Sequence, residues 1–155
     1  MILLVYGLAI AAGNVIGGKA ANRKPMNALF YMFALQAAIL LVLTFTAPFK
    51  APALITIIFM GLLAFMNVPG LQSYVVILAD RYAPGARDIA SAVNIAAFNA
   101  GIAIGAYLGG FVTEHLGLIH TAWVGSVMVL GAVVLTARSR SLERSDEQAP
   151  RRQTA

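Results

Sequence analysis

The chain is 155 residues long, 60% hydrophobic and only 11% charged, with a net charge of +5 and no cysteine. A soluble domain carries about a quarter charged residues, so this composition excludes one and fits a polytopic membrane protein; the lack of cysteine excludes disulfides and thiolate chemistry. The basic balance does not point to nucleic acid either, because the cations gather at the edges of apolar stretches, as topology signals and contacts to anionic lipid.

Uncharged stretches run over Met1–Gly18, Pro25–Phe49, Ala51–Ala79, Ile89–Thr113 and Leu116–Ala137. Crossing about 30 Å of hydrocarbon takes roughly 20 apolar residues. Four of the stretches have that length, and the first barely does. Of the 11 Lys and Arg residues, all but Lys50 fall in every second break: Lys19, Arg23 and Lys24, then Arg81 and Arg87, then Arg138, Arg140, Arg144, Arg151 and Arg152. Loops rich in Lys and Arg stay cytoplasmic, and a charge at the bilayer centre costs several kcal/mol. The pattern therefore predicts an all-α bundle with spans at about 1–18, 27–46, 53–79, 89–112 and 121–137. An odd count puts the N-terminus outside and a cytoplasmic basic tail, 138–155, inside.

The first span is not a secretory signal, because its cations follow the apolar run and Gly13, Asn14, Gly17 and Gly18 thread through it. A start with no cytoplasmic leader leads us to expect a piece of a longer protein. Glycines followed by Pro25 read as a sharp inner turn. The second span is bulky and aliphatic, with Gln36 as its most polar interior residue, and such a helix can face lipid on most sides. The third carries Asn67, Pro69, Gly70 and Gln72 near its middle, which predicts a bent helix packed inside a bundle. Pro84-Gly85 marks the next inner turn.

The fourth span holds Asn94, Asn99 and the ladder Gly101, Gly105, Gly109. At 100° per residue, Asn94, Phe98, Gly101 and Gly105 share one narrow face, while Asn99 points away. Small residues four apart let helix backbones approach, so the ladder is expected to be a packing seam. The fifth span is small and aliphatic, with Trp123 at the outer interface. From Arg138 on, aliphatic periodicity ends and an unstructured tail is expected.

Amides in hydrocarbon are costly unless paired, so Asn67, Gln72, Asn94 and Asn99 either bond neighbouring helices or line a polar cavity. Asn94 with Phe98 is the first cavity candidate; Asn67 and Tyr74 share a face of the third span, and Gln72 and Asn14 follow. Glu114, His115 and His120 lack a set helical spacing, so no metal site is expected. No cofactor, phosphate loop, paired carboxylates or Ser/His/Asp set is recognisable, and an enzyme is not expected. No acidic residue lies deep in any span, so a proton relay would need its group elsewhere.

Three segments carry a resemblance: Gly18-Lys19-Ala20-Ala21-Asn22-Arg23, Asn67-Val68-Pro69-Gly70-Leu71-Gln72, and the run from Ser91 to Gly110, extended by Ala122-Trp123-Val124-Gly125. Over Met1 to about Ala137 the chain resembles the C-terminal part of a major facilitator superfamily transporter, nearest the drug-efflux branch that includes arabinose-efflux-like permeases. The first segment is similar to the second copy of that family's G-x-x-x-D-R-x-G-R-R gating loop. Gly18 and Arg23 match; Asn22, Pro25, Met26 and Asn27 depart from it. The resemblance implies helices eight to twelve of a twelve-helix fold, with eight, ten and eleven facing the cavity and nine and twelve outside. It also implies a bacterial inner-membrane location, a missing N-terminal half as partner, and proton-coupled efflux of a small-molecule substrate such as a sugar or drug by alternating access. The rival reading is a non-transporting membrane protein that associates with another polytopic chain through its glycine-rich face.

Overall fold

Hydrocarbon offers a peptide group no water to bond, so an apolar segment there must close its N–H and C=O groups within itself as a helix. A computed structural model of the chain describes residues 2–22 and 25–153, with side chains as far as Glu143. It holds α1 (Ile2–Ala21), α2 (Pro25–Thr46), α3 (Lys50–Tyr82), α4 (Arg87–His115) and α5 (Thr121–Gln153), with one 3-10 turn at Leu118–His120 before α5. All five helices contain an apolar window long enough to cross a membrane.

The helices overrun the expected spans. α1 continues past Gly18 to Ala21, and α3 begins at Lys50 and runs unbroken through Pro69 to Tyr82, 33 residues or about 50 Å. The stretch after Ala137, expected as an unstructured tail, continues α5 as helix to Gln153. Its Arg, Glu, Gln and Ala residues have good helix propensity, which a search for aliphatic periodicity does not register. Two turns need a left-handed glycine: Gly85 (φ 95°) between α3 and α4, and Gly117 (φ 94°) after α4. At the latter, Leu116 and Gly117 both donate to the Val112 carbonyl, at 2.8 and 3.1 Å, and close the end of α4.

The tightest contact joins α1 and α3, which run parallel. The buried positions of α1 are Ala9, Gly13, Gly17 and Ala21, a stripe of small residues four apart. Gly13 lies against Leu62 and Gly17 against Met66, and Ala21 meets Gly70, a constant offset along both helices. A Cβ on Gly13 would stand 2.3 Å from the Leu62 carbonyl oxygen, and one on Gly17 would stand 2.2 Å from that of Met66. The Cα–H groups of both glycines therefore face carbonyls across the seam, the geometry of weak Cα–H···O contacts. Further out, the Tyr6 ring occupies the space that a side chain on Gly61 would need.

α2, expected to face lipid on most sides, is instead wedged between α3 and α5. It buries Met26, Leu29, Met32, Gln36 and Ala37. Towards α3, Thr46 donates to Thr56 at 3.1 Å, and Thr56 donates to the Pro52 carbonyl at 2.9 Å. Towards the antiparallel α5, the fully buried Ser126 hydroxyl donates to the Ala37 carbonyl at 3.1 Å. α4 is the least covered helix, with Val112 its only buried residue. It touches α3 through its first half and leaves most of its length open.

The seam predicts a contrast between two glycines of one helix. Gly17→Leu puts a side chain into the Met66 backbone and should lower unfolding free energy by about 3 kcal/mol or prevent folding. Gly7→Leu, where a Cβ meets nothing within 4 Å, should be close to neutral. Unfolding in a denaturing-detergent titration reads both; equal tolerance would contradict the seam.

Candidate functional site

The side-chain amides that meet across helices lie between α3 and α4. Asn94 Nδ2 donates to Gln72 Oε1 at 2.7 Å, and Gln72 Nε2 donates to Ser91 Oγ. Ser91 precedes Asn94 by three residues, so both project from one side of α4 towards Gln72. Counted from Tyr82 and Arg87, the group lies about 6–15 Å from the inner helix ends, between the inner edge and the midplane. All three residues are half-buried. Each amide keeps spare capacity: Asn94 Oδ1 and the second Nε2 hydrogen of Gln72 are not taken up among the described residues. The cluster is uncharged. The nearest ionic pair in sequence, Asp80 with Arg87 at 3.9 Å, is exposed on the inner turn. Such a group can exchange hydrogen bonds with a neutral polar solute and offers the Ser91 hydroxyl no general base.

Of the residues singled out in the sequence, the structure brings Gln72 and Asn94 together and adds Ser91. Phe98 follows Asn94 by one turn and is 43% exposed, beside the cluster on its outer side. Asn67 does not join them. It lies about 140° around α3 from Gln72, is 6% exposed, donates to its own helix at Leu63 (3.2 Å), and leaves Oδ1 buried without a partner. Tyr74, half-buried, shares the Asn67 side. Asn14 is exposed on α1 and donates to the Ile10 carbonyl at 3.3 Å. Gly18 lies inside α1 beside Pro69 of α3, and Arg23 falls outside the described residues.

Among the described residues nothing closes the glycine ladder. A Cβ at Gly101, Gly105 or Gly109 meets nothing within 4 Å. Gly105 and Gly109 instead line a cavity of about 290 Å³ with Leu40 of α2, Val112, and Gly125 of α5. A larger apolar cavity of about 450 Å³ lies between the two outer turns, bounded by Leu43, Pro48, Ile57, Leu118 and Ile119. At the α4–α5 turn, His115 stacks on Phe111, and His120 Nδ1 accepts from Trp123 Nε1 at 3.0 Å. That bond assigns His120 the Nε2–H tautomer.

Sequence reasoning passed over Ser91 as a site residue, and it marked Gln36 as the most polar residue of its span without giving it an inward side. Ser91 had a signal, the three-residue step to Asn94. Gln36, 8% exposed with Oε1 unpaired, faces inward on a helix whose composition gave no sign of an inner side.

The profile of the Major Facilitator Superfamily matches residues 1–155. Over 148 residues the chain is 67% identical to an uncharacterized MFS-type transporter, YtbD, of Bacillus subtilis (strain 168), covering 96% of this chain and 37% of that protein. Over 138 residues it is 37% identical to the inner membrane transport protein YdhP of Escherichia coli (strain K12), covering 88% of this chain and 34% of that one. The chain thus spans little more than a third of the length of these relatives. No solved structure matches it.

If the amide pair couples α3 to α4, Gln72→Leu and Asn94→Leu should not be additive. A double-mutant cycle in unfolding free energy should return a coupling of about 0.5–1.5 kcal/mol. Additivity within about 0.3 kcal/mol would show that the bond contributes nothing to holding α4.

Proposed function

The chain belongs to the major facilitator superfamily, a family of multi-pass membrane transporters and not of enzymes, and on that premise we propose that it forms helices eight to twelve of a twelve-helix efflux permease. The missing N-terminal half supplies the other wall of the substrate cleft, and the two halves work by alternating access in a bacterial inner membrane. The relatives' names support a transporter and say nothing of its cargo. The drug- or arabinose-efflux branch and coupling to protons therefore belong to this proposal.

The observation that carries the reading is the Ser91–Gln72–Asn94 cluster, with Phe98 beside it. Under the helix correspondence it joins helices ten and eleven, two of the three expected to face the cleft. Its spare amide groups and adjacent ring suit a small neutral solute with hydroxyl groups and an apolar face, such as a sugar. Asn67, Tyr74 and Asn14 stand on other sides of their helices and serve packing or a separate part of the cleft. A second reading is favoured by the open glycine face of α4: a non-transporting membrane protein whose partner chain covers Gly101, Gly105 and Gly109.

Two experiments test this. Reporter fusions at Pro48 and Gly117 should report outside, and one at Gly85 inside; a cytoplasmic Gly117 turn would overturn the orientation. In proteoliposomes holding the chain together with its N-terminal helices, an imposed pH gradient should drive movement of a sugar or dye, and Asn94→Leu should slow it about tenfold or more. A stable complex that moves no solute would favour the second reading.

A further inference from the structure

We propose that Arg140 forms the headgroup-phosphate site for an anionic lipid at the inner end of the α2–α5 pair. Its guanidinium carbon lies 5.4 Å from the centre of the Phe30 ring and 5.9 Å from that of Tyr31, so α5 lays its cation over two consecutive aromatic residues of α2. Contacts at this distance are cation–π interactions, and they hold the planar group in one orientation. The Nε atom is buried and finds no hydrogen-bond partner among the described residues. Among the described residues no carboxylate lies within ion-pair distance of Arg140 either. The two rings therefore hold the guanidinium in place, and its Nε is left unpaired among the described residues, so the outer Nη groups are the donors left to face a ligand.

Depth selects the ligand. Counted from Thr121, Arg140 lies about 28 Å along the helix axis, where roughly 30 Å of hydrocarbon gives way to headgroups. A cation at that boundary reaches the headgroup layer, where the anionic groups a lipid offers are its phosphates. A guanidinium presents two parallel N–H donors that match the oxygens of a phosphate. Tyr31 is 59% exposed and widens the aromatic platform towards the acyl chains. Arg138 makes the useful comparison. It carries the same charge close by, yet it is exposed, lies about 200° around α5 from Arg140, and has no ring contact among those of the described residues. General attraction of basic residues to an anionic surface would treat the two alike; the site would not.

The proposal rests on the orientation given above only in naming the leaflet as the inner one, and its test does not depend on transport. The full chain is melted in lipid discs of phosphatidylcholine, with and without phosphatidylglycerol, and the difference in melting temperature is taken within each variant. Wild type should gain stability from phosphatidylglycerol. Arg140→Gln should lose more than half of that gain, Arg140→Lys should keep an intermediate share, and Arg138→Gln should keep nearly all of it. A full gain in Arg140→Gln, or an equal loss in Arg138→Gln, would overturn the site. Inorganic phosphate and glycerol phosphate, added to phosphatidylcholine discs, separate the sources. Neither should reproduce the gain, and if either did, the site would belong to a soluble anion and the lipid assignment would fall.

Discussion

The structure depends on the close approach of two parallel backbones. Apolar side chains gain little from leaving lipid for one another, so helices in a membrane need close packing or hydrogen bonds to associate. α1 and α3 obtain it at Gly13 and Gly17, where no side chain separates the glycine backbone from the carbonyls of Leu62 and Met66. Ala9 and Ala21 extend the stripe, so the contact runs the length of α1. α1 has few other attachments, and without this seam it would have little to hold it in the bundle.

α3 is the common member of the bundle. Beyond α1, it holds α2 through the Thr46–Thr56 bond and the fit of Leu29 against Gly70. It holds α4 through Gln72. α5 joins at second hand, through α2, by the Ser126 bond in midspan and the Arg140 stack at the inner end. The attachments grade from backbone contact, through buried hydroxyls, to a single amide cluster. α4 has the least contact with the other helices and is held to α3 through that cluster. It also carries Asn94 and Phe98.

Much of this was legible in the residues. The five spans follow from where charges are absent, since hydrocarbon excludes charge over a fixed thickness. The helix ends were less legible, because α3 and α4 carry polar turns beyond the hydrocarbon that hydropathy does not count. Gln72 and Asn94 could be marked as costly amides from their depth alone. That they bond each other, while Asn67 turns to the opposite side, depends on the register of α3 against α4, which no single helical wheel contains. The glycines make the same point. Gly13-xxx-Gly17 and Gly101-xxx-Gly105 have identical spacing, yet among the described residues only the first finds a partner. A small-residue stripe says that a helix can be approached closely, and says nothing of by what. α2 was opaque for the opposite reason: bulky residues all round it gave no sign of which side α3 and α5 would cover.

The central claim is the parallel register of α1 on α3, since the position of every other helix is referred to it. The absence of cysteine makes it directly measurable. A Cβ at Gly70 would lie 3.8 Å from that of Ala21, within the span of a disulfide. The double variant Ala21→Cys, Gly70→Cys should form an intramolecular disulfide in high yield under mild oxidation in membranes, while Ala21→Cys paired with Gly109→Cys should form none. Failure of the first pair, or equal yield from both, would contradict the register and the bundle built on it.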